Sequence, residues 1–476
     1  MSASLIRVPT AAHQPSRSMA VVFGMVGALL AACFVVSHWS LALIGALVVL
    51  FLSATENETF LLMVIALTPI SWVLSGEALL HNVPDGLRFL VIVGFFSGRL
   101  FRGGVNLKGL FRHSITKASL SFLCAALAPL AFVKGARTPE SAASIFAVAS
   151  FIGFSFVVLA WVDSQERLKK VLQALLWSTI ATSIFAIAQE MIGGYTSLWL
   201  RLNPPNENSL DWEGRATSFL NYSNSLAGYL NVFTPLALGC AVLGEARWKK
   251  LGAWTLGLAV IALACTQSLG GLAGFCGILI LALFCFVENR AKRFYLLAAL
   301  VCSFIGLYVV RDIINPAHAD ALLGIDAVGR LLMWGLAWNF FIHSPIFGIG
   351  WGNFRMLYGS ELHYSWLTPD ILDVHNVYLQ LLAETGIFGF VTFFSFILLT
   401  VRDARAGLGS SSDPFRRILA FTVLGAIVAM LVHGCVDFLF RVSPQFGTAF
   451  WVVLALGAAS AGLEGTSRLP VEGVSN

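Results

Sequence analysis

Residues 142–162 read AASIFAVASFIGFSFVVLAWV, and no charged side chain interrupts them. A helix of about 20 apolar residues crosses the hydrocarbon core of a bilayer, so this stretch predicts a transmembrane helix. Comparable apolar stretches recur along the chain in both directions. We predict further spans at 19–37, 39–54, 59–75, 87–101, 117–133, 171–192, 222–244, 251–267, 271–287, 294–310, 374–401, 415–433 and 446–462. This makes fourteen spans, or twelve if the short stretches 39–54 and 87–101 are re-entrant or amphipathic.

The composition supports the same fold class. Of the 476 residues, 58% are hydrophobic and 12% are charged, whereas soluble domains average roughly 45–50% apolar and about 25% charged residues. So little charge cannot cover a globule of this size with a hydrated surface. The composition excludes a soluble enzyme, a nucleic-acid binder and a disordered chain. Because period-2 alternation dominates nowhere, we predict an all-α polytopic membrane protein with 12–14 transmembrane helices.

The positions of Lys and Arg predict the orientation, because cytoplasmic loops carry an excess of both. One set of segments holds 21 of the 30 basic residues, which places both chain ends in the cytoplasm. These segments are 1–18, 55–58, 99–117, 163–170, 245–250, 288–293, 402–417 and 463–476. The other nine basic residues lie on the opposite side, which we predict to be periplasmic, and eight of them are Arg.

The order of spans and loops predicts six regions. They are N-terminal transmembrane helices (1–192), a first periplasmic loop (193–221), central transmembrane helices (222–310), a large periplasmic loop containing short helices (311–373), C-terminal transmembrane helices (374–462) and a cytoplasmic tail (463–476). Both periplasmic loops exceed the length that a connection needs, and such loops usually carry function.

Arginine on the outer side indicates an anionic ligand. Its planar guanidinium binds phosphate or carboxylate with two hydrogen bonds and stays charged when it is partly desolvated. The alternative is that these are surface arginines beside lipid headgroups. Arg215 and Arg330 are the stronger candidates, because each precedes an apolar helix among small and aromatic residues.

The segment after Arg330 predicts an amphipathic helix over 330–342, which Pro345 ends. Its apolar side chains suit the membrane interface, where Trp is favoured. These side chains are Leu331, Trp334, Leu336, Trp338 and Phe341. The glycines that follow, Gly348, Gly350 and Gly352, allow close approach to a ligand, although a tight turn is the commoner reason for such a cluster.

His375 opens an apolar span beside Asp373 and Asn376. Histidine titrates nearest neutral pH and can act as a general base, and ionisable groups at the membrane are functional candidates by default. The alternative is a histidine that caps a helix. Glu384 lies nine residues further along the same span, where it can bind a neighbouring helix instead of taking part in chemistry.

His433 and Asp437 are spaced i and i+4, which places both on one side of a helix. The carboxylate can orient the imidazole, but we favour a structural contact between helices. A zinc site is not expected, because no third and fourth ligand follow at characteristic spacing. No nucleotide-binding signature is present, and the eight cysteines lie almost all within spans without CxxC spacing. The sequence therefore predicts no cofactor, metal or disulfide framework.

Four stretches resemble the bacterial O-antigen ligase and polysaccharide polymerase superfamily. They are GRATSFLNYSNSLAGYLN at 214–231, the GR…W…SPIFGIGWGNF run at 329–354, HNVYLQLLAETGIFG at 375–389 and the His…Asp pair at 433–437. Together they cover roughly the C-terminal 55% of the chain. One departure is Leu269, in TQSLGGLAG, where many relatives have the Arg of Ser-Arg-Gly.

The resemblance implies a GT-C-like multispanning glycosyltransferase in the bacterial inner membrane, active at the periplasmic face. Its donor would be an undecaprenyl-diphosphate-linked glycan, and its acceptor a glycan or lipid A–core. Transfer would be metal-independent with inversion. By analogy, His375 takes the proton from the acceptor hydroxyl, Arg215 and Arg330 bind the diphosphate, and Asn376, Glu384, His433 and Asp437 give support.

Other functions remain open on the sequence alone. A transporter or flippase of lipid-linked sugars would show internal repeats, broken helices and ionisable residues near the midplane, whereas this chain puts its polar groups at one face and shows no repeat. A cell-wall glycan polymerase would carry a different motif set, and a structural assembly component would need no long Arg-bearing loop. Within the superfamily, ligase, polymerase and protein O-oligosaccharyltransferase share these motifs, and the long loop at 311–373 slightly favours a polymerase.

Overall fold

A computed structural model describes residues 38–70, 83–104, 107–191, 215–220, 222–314, 325–355, 357 and 373–467. The regular elements in these ranges are helices, without a β-strand. The N-terminal helices are α1 (His38–Ala54), α2 (Glu58–Ala66), α3 (Val83–Phe101), α4 (Leu107–Leu110), α5 (Ser114–Phe132), α6 (Pro139–Trp161) and α7 (Gln165–Met191). The C-terminal helices are α8 (Ser223–Leu243), α9 (Ala246–Cys265), α10 (Leu269–Phe286), α11 (Arg290–Ile314), α12 (Ile325–His343), α13 (Val377–Ser410), α14 (Pro414–His433), α15 (Leu439–Val442) and α16 (Pro444–Ser467).

The all-α polytopic fold is confirmed. Within the described ranges, nine helices are long and apolar enough to cross a membrane, namely α5 to α10, α13, α14 and α16. The end of α1 and the whole of α2 form a pair bent by 117°, which makes a tenth span if the pair is one broken span. The stretches 39–54 and 59–75 were predicted as separate spans. The predicted span 19–37, most of the loop 193–221 and the tail beyond 467 lie outside the described residues.

Loops that the charge pattern assigns to the cytoplasm meet at one end of the helical bundle. Glu56, between α1 and α2, accepts hydrogen bonds from Arg99 at 2.9 Å and from Arg102 at 2.6 Å. Lys170 donates to Glu58 at 2.6 Å. Because these residues come from three predicted cytoplasmic loops, the fold groups the loops as the distribution of basic residues predicts.

Loops assigned to the other side also contact one another. Asn353, which follows α12, donates to the carbonyl oxygen of Ala136 between α5 and α6 at 3.1 Å. Asn376, before α13, donates to the carbonyl oxygen of Cys435 after α14 at 3.0 Å. The candidate site residues lie at this end of the bundle.

The centre of the bundle is formed by α8, α14 and α16, whose residues are the most completely buried of the spanning helices. Tyr229, Phe233, Phe421 and Trp451 are fully buried there. Close approach of the helix axes requires small residues, as at Gly252 of α9, where an added Cβ would lie 2.6 Å from the carbonyl oxygen of Ala237 in α8. This rigid centre supports the ends of α13 and α14, where the polar site residues lie.

Candidate functional site

Helix α13 is interrupted at Gly386, whose φ of 63° no L side chain adopts easily. An interruption leaves backbone groups of the helix without their usual partners. The loop after α12 supplies those partners. Ile349 N–H donates to the carbonyl oxygen of Ala383 at 2.9 Å, and Ile387 N–H donates to that of Pro345 at 2.8 Å. The loop and the broken helix therefore form one unit.

The glycine cluster serves this unit. Gly348 has a φ of 68°, and a Cβ there would lie 2.4 Å from the carbonyl carbon of Glu384. Gly350 N–H donates to the carbonyl oxygen of Glu384 at 3.0 Å. These glycines thus permit the loop to approach helix α13 closely. A structural role in the loop is therefore a better interpretation of the cluster than a ligand site.

Glu384 fixes the same loop through its side chain. It is fully buried, and its Oε1 accepts a hydrogen bond from the N–H of Phe354 at 3.0 Å. Glu384 thus binds the segment that follows α12. The structure shows no contact between Glu384 and the histidines among the described residues.

The start of α13 is tied to the turn that follows α14. Val377 N–H donates to the carbonyl oxygen of Gly434 at 2.8 Å, and Asn376 Nδ2 donates to that of Cys435 at 3.0 Å. The Oδ1 of Asn376 accepts from two N–H groups of the first helical turn, so the cap is Asn376 and not His375. The chain enters this arrangement through His375, whose φ is 52°, in the left-handed region.

This connection brings His375 to Asp437, which lies 62 residues further along the chain. Nδ1 of His375 is 3.4 Å from Oδ1 of Asp437, which also accepts a hydrogen bond from the N–H of Phe438 at 2.7 Å. Nε2 of His433 lies 3.9 Å from Oδ2 of the same carboxylate. A buried carboxylate therefore lies between two imidazoles, of which His433 is buried and His375 is 30% exposed.

The tautomer of His375 follows from this contact. A carboxylate accepts, so in the neutral imidazole Nδ1 carries the proton and Nε2 has a free lone pair. Nε2 makes no hydrogen bond with the part of the chain that the structure describes. His375 thus presents a basic nitrogen while its other nitrogen is held by Asp437.

Burial and neighbouring charges act in opposite directions on the pKa values of His375 and Asp437. Burial disfavours the charged imidazolium of His375, but the hydrogen bond and charge of Asp437 outweigh it and raise the pKa of His375. The positive charge of Arg330 acts against that rise. Burial likewise acts to raise the pKa of Asp437, but the two histidines and the N–H of Phe438 hold it well below its usual range. Asp437 therefore stays ionised at neutral pH.

Arg330 is carried by α12, at the start of the stripe formed by Met333, Ala337 and Phe340, which packs against the protein. Helix α12 is held by a hydrogen bond of 3.0 Å from Trp334 Nε1 to the carbonyl oxygen of Val374. The charge of Arg330 acts on both histidines. Its guanidinium makes no hydrogen bond or ion pair with the described residues, so it is available to an anion.

Arg215 precedes α8 in the chain and lies against the turn that joins α9 to α10. Its Nε donates to the carbonyl oxygen of Thr266 at 3.0 Å, and its Nη2 donates to Oδ1 of Asn224 at 3.1 Å. The same turn leads into Gly270, where an added Cβ would lie 2.6 Å from Cδ2 of His433. Arg215 and His433 thus border one turn, but no contact joins Arg215 to His375 within the described ranges.

Sequence reasoning paired Asp437 with His433 and missed its closer contact with His375. It also missed Gln380, which holds the segment before His375. Gln380 Oε1 accepts from the N–H of Val374 at 2.8 Å, and its Nε2 lies 3.5 Å from Asp373. The position of Gln380 in an otherwise apolar turn of the predicted span was the available signal.

Comparison with known proteins supports the predicted resemblance. The O-antigen ligase family model matches residues 254–394, from within α9 to within α13. The match includes Arg330, His375, Asn376 and Glu384, whereas Arg215, His433 and Asp437 lie outside it. No curated protein matches the chain. The matched range bears out the resemblance to the O-antigen ligase superfamily in a membrane protein of helices.

The loop around Gly348 offers a test of how the site is supported. Gly348→Ala should destabilise the protein by roughly 1–3 kcal/mol, because alanine disfavours the positive φ and its Cβ overlaps α13. Thermal unfolding of the purified protein in detergent measures the effect. Gly335→Ala in α12 is the matched control, because a Cβ there meets nothing within 4 Å. Equal unfolding temperatures for the two variants would contradict the role of the loop.

Proposed function

We propose, from the match of residues 254–394 to the O-antigen ligase family, that this protein is an inner-membrane glycosyltransferase. Its donor is a glycan linked to undecaprenyl diphosphate, and it transfers the glycan to an acceptor hydroxyl at the periplasmic face. The observation that carries the proposal is one cluster at the outer end of the bundle. There the carboxylate of Asp437 orients His375, and the cation of Arg330, which has no partner among the described residues, lies near enough to influence its protonation.

His375 is the proposed general base. As the acceptor oxygen attacks the anomeric carbon, its proton passes to Nε2 of His375. The bond from that carbon to the diphosphate oxygen breaks, and the electron pair leaves with the lipid diphosphate. A single displacement of this kind inverts the anomeric configuration. Asp437 stabilises the imidazolium that forms, as the carboxylate does in other histidine–carboxylate pairs.

Arg330 and Arg215 are the proposed diphosphate ligands. The leaving diphosphate gains negative charge in the transition state, and fixed cations aimed at that charge lower the barrier. Arg330 makes no hydrogen bond with the described residues that would have to break before it binds phosphate. Arg215, by contrast, already binds Thr266 and Asn224. We therefore assign the closer contact with the reacting phosphate to Arg330. The two guanidinium groups supply the positive charge, so we propose transfer without a metal ion.

The acceptor defines the type of transferase. A ligase passes finished glycan to lipid A–core, a polymerase passes the growing glycan to the next repeat unit, and a protein O-oligosaccharyltransferase passes it to a protein. We favour a polymerase, because the loop 311–373 is long enough to bind an extended glycan. The glycan products distinguish the three.

Transport of lipid-linked sugars fits the described residues less well. Transporters bind their substrates near the bilayer midplane, often at unwound helices with free backbone groups. Here His375 precedes α13 and Asp437 follows α14, so the ionisable cluster lies at the ends of spans. The interruption of α13 at Gly386 is paired with the loop after α12 and offers no open backbone site.

His375→Ala should abolish long glycan chains at wild-type protein abundance, with a fall in rate of about 10²–10⁴-fold. The glycan ladder of a complemented deletion strain measures this. His343→Ala, at the exposed end of α12, is the matched control and should leave the ladder unchanged. Single repeat units on the core would indicate a polymerase, and long lipid-linked chains without core attachment would indicate a ligase. An unchanged ladder for His375→Ala would refute the general-base role.

Arg330→Ala and Arg215→Ala should each lower activity by about 10²–10³-fold without loss of protein, because each removes a cation from the leaving group. The rate of transfer from a lipid-diphosphate glycan to acceptor measures the effect. Arg355→Ala is the control, since Arg355 is exposed on the same loop as the glycine cluster. Near-normal activity in both site variants would remove the proposed diphosphate contacts.

The pH dependence of kcat/KM tests the electrostatics of His375. The base must be neutral, so the acidic limb reports its protonation, and the wild-type limb should lie above the ordinary histidine pKa of 6.5. Asp437→Asn removes the group that raises the pKa of His375, so the limb should move to lower pH. Arg330→Gln removes a group that lowers this pKa, so the limb should move to higher pH. Shifts in the same direction would contradict the assignment.

A further inference from the structure

Helix α12 carries a second, outward-facing apolar surface that the proposed reaction does not use. Val328, Leu331, Trp338, Ile342 and the adjacent Ile346 are between 48% and 62% exposed. A helix exposed to water carries polar residues on its outer face. Here the chain from 331 to 346 contains no Asp, Glu, Lys or Arg. We call these five side chains the outer face of α12.

The sequence prediction of an interfacial helix at 330–342 is thus refined. Leu331 and Trp338 are exposed, whereas Trp334 and Leu336 pack against the cluster of Met333, Ala337 and Phe340. Phe341 is half-buried and lies 5.3 Å from Trp338, measured between ring centroids. The side of α12 that carries Met333, Ala337 and Phe340 therefore packs against the protein, and the outer face is left to another partner.

The outer face of α12 continues into the lipid-facing surface of a spanning helix. Phe388 N–H donates to the carbonyl oxygen of Ile346 at 3.2 Å, which places Ile346 directly against α13. From there α13 exposes Phe388, Val391 and Leu398 along its length. A spanning helix exposes such residues to acyl chains. The exposed apolar surface of α12 and that of α13 are contiguous.

We propose that the outer face of α12 lies in the membrane interface, in contact with the acyl chains of bilayer lipid. The continuity with α13 identifies the occupant, because a surface contiguous with lipid-facing side chains meets the same lipid. Trp338 is suited to this depth, where its amphipathic ring is favoured. An amphipathic helix of this kind lies along the interface with its apolar side in the acyl boundary.

The position of α12 in the interface also sets the depth of Arg330 in the membrane. The link from that depth to the reaction rests on the proposed function. Arg330 lies at the start of the protein-facing stripe of the same helix, close enough for its charge to act on both histidines. Seating the outer face at the acyl boundary holds Arg330 at the depth of lipid headgroups. A lipid-linked diphosphate presents its phosphates at that depth while its isoprenoid chain stays in the bilayer. The lipid contact of α12 therefore sets the depth at which Arg330 meets its ligand.

Spin labels test the lipid contact without reference to the reaction. In a cysteine-free variant in donor-free phosphatidylethanolamine–phosphatidylglycerol vesicles, labels at Leu331→Cys and Ile342→Cys should collide more with oxygen than with a water-soluble nickel chelate. Leu398→Cys, exposed on α13, is the lipid control, and Glu245→Cys, exposed before α9, is the water control. Labels on α12 should show oxygen-dominated collisions as the label at position 398 does, with more nickel collisions than at 398 because the interface admits more chelate than the acyl interior.

Three outcomes would overturn the proposal. Collisions like those at position 245 would place the outer face in water. Protection from both reagents would indicate a second copy or another protein on the face. Oxygen-dominated collisions that arise only after a lipid-diphosphate glycan is added would make the face a donor site and not a bilayer contact.

A charge substitution links the contact to transfer. Trp338→Asp should lower kcat/KM for the lipid-linked donor at unchanged protein abundance, whereas Trp338→Phe should retain it. If the labels report lipid but Trp338→Asp is fully active, the link to Arg330 is wrong and the lipid contact stands. If the labels report lipid and the His375→Ala strain keeps its glycan ladder, the proposed function fails alone.

Discussion

The hydrogen bond from the N–H of Val377 to the carbonyl oxygen of Gly434 is the constraint on which the site depends. Together with the contact from Asn376 to Cys435, it joins the beginning of α13 to the end of α14. These groups are end groups of helices, which lack partners within their own helix. Their mutual satisfaction places His375 in a left-handed conformation, and that conformation directs its ring to Asp437. The arrangement of His375 and Asp437 is thus a product of how two helix ends meet.

The second support of the site is the interruption of α13 at Gly386. A continuous helix would leave the loop after α12 without partners for its backbone. Because the break exposes the carbonyl of Ala383 and the N–H of Ile387, the loop binds there and brings α12 alongside α13. Arg330 is thereby connected to the same helix that begins at Val377. The helical hydrogen bonds lost at Gly386 are replaced by hydrogen bonds to this loop, and the result is a fixed relation between Arg330 and α13.

The parts of this architecture that sequence could predict are those set by local physics. The span at 142–162 follows from its lack of charge, and α12 follows from its periodicity up to Pro345, although it begins at Ile325 and not at the predicted residue 330. His375 and Arg330 could be singled out because their chemistry is unusual beside apolar spans. The contact between His375 and Asp437 could not be predicted, because residues 62 positions apart meet only through the packing of α13 on α14. For the same reason the partner of Gly348 proved to be helix α13, which no local pattern identifies.

In the proposed mechanism, the opposite charges of Arg330 and Asp437 determine when the proton affinity of His375 rises. In the free protein, Arg330 offsets part of the effect of Asp437, which favours the neutral imidazole that a general base requires. An anionic diphosphate bound at Arg330 would counter that positive charge. The charge of Asp437, which favours the protonated imidazole, would then outweigh that of Arg330. The proton affinity of Nε2 would therefore rise when the acceptor hydroxyl is in place. Because the diphosphate becomes more negative as the glycosidic bond breaks, the same effect would grow along the reaction. Binding of the donor would therefore strengthen the base that activates the acceptor.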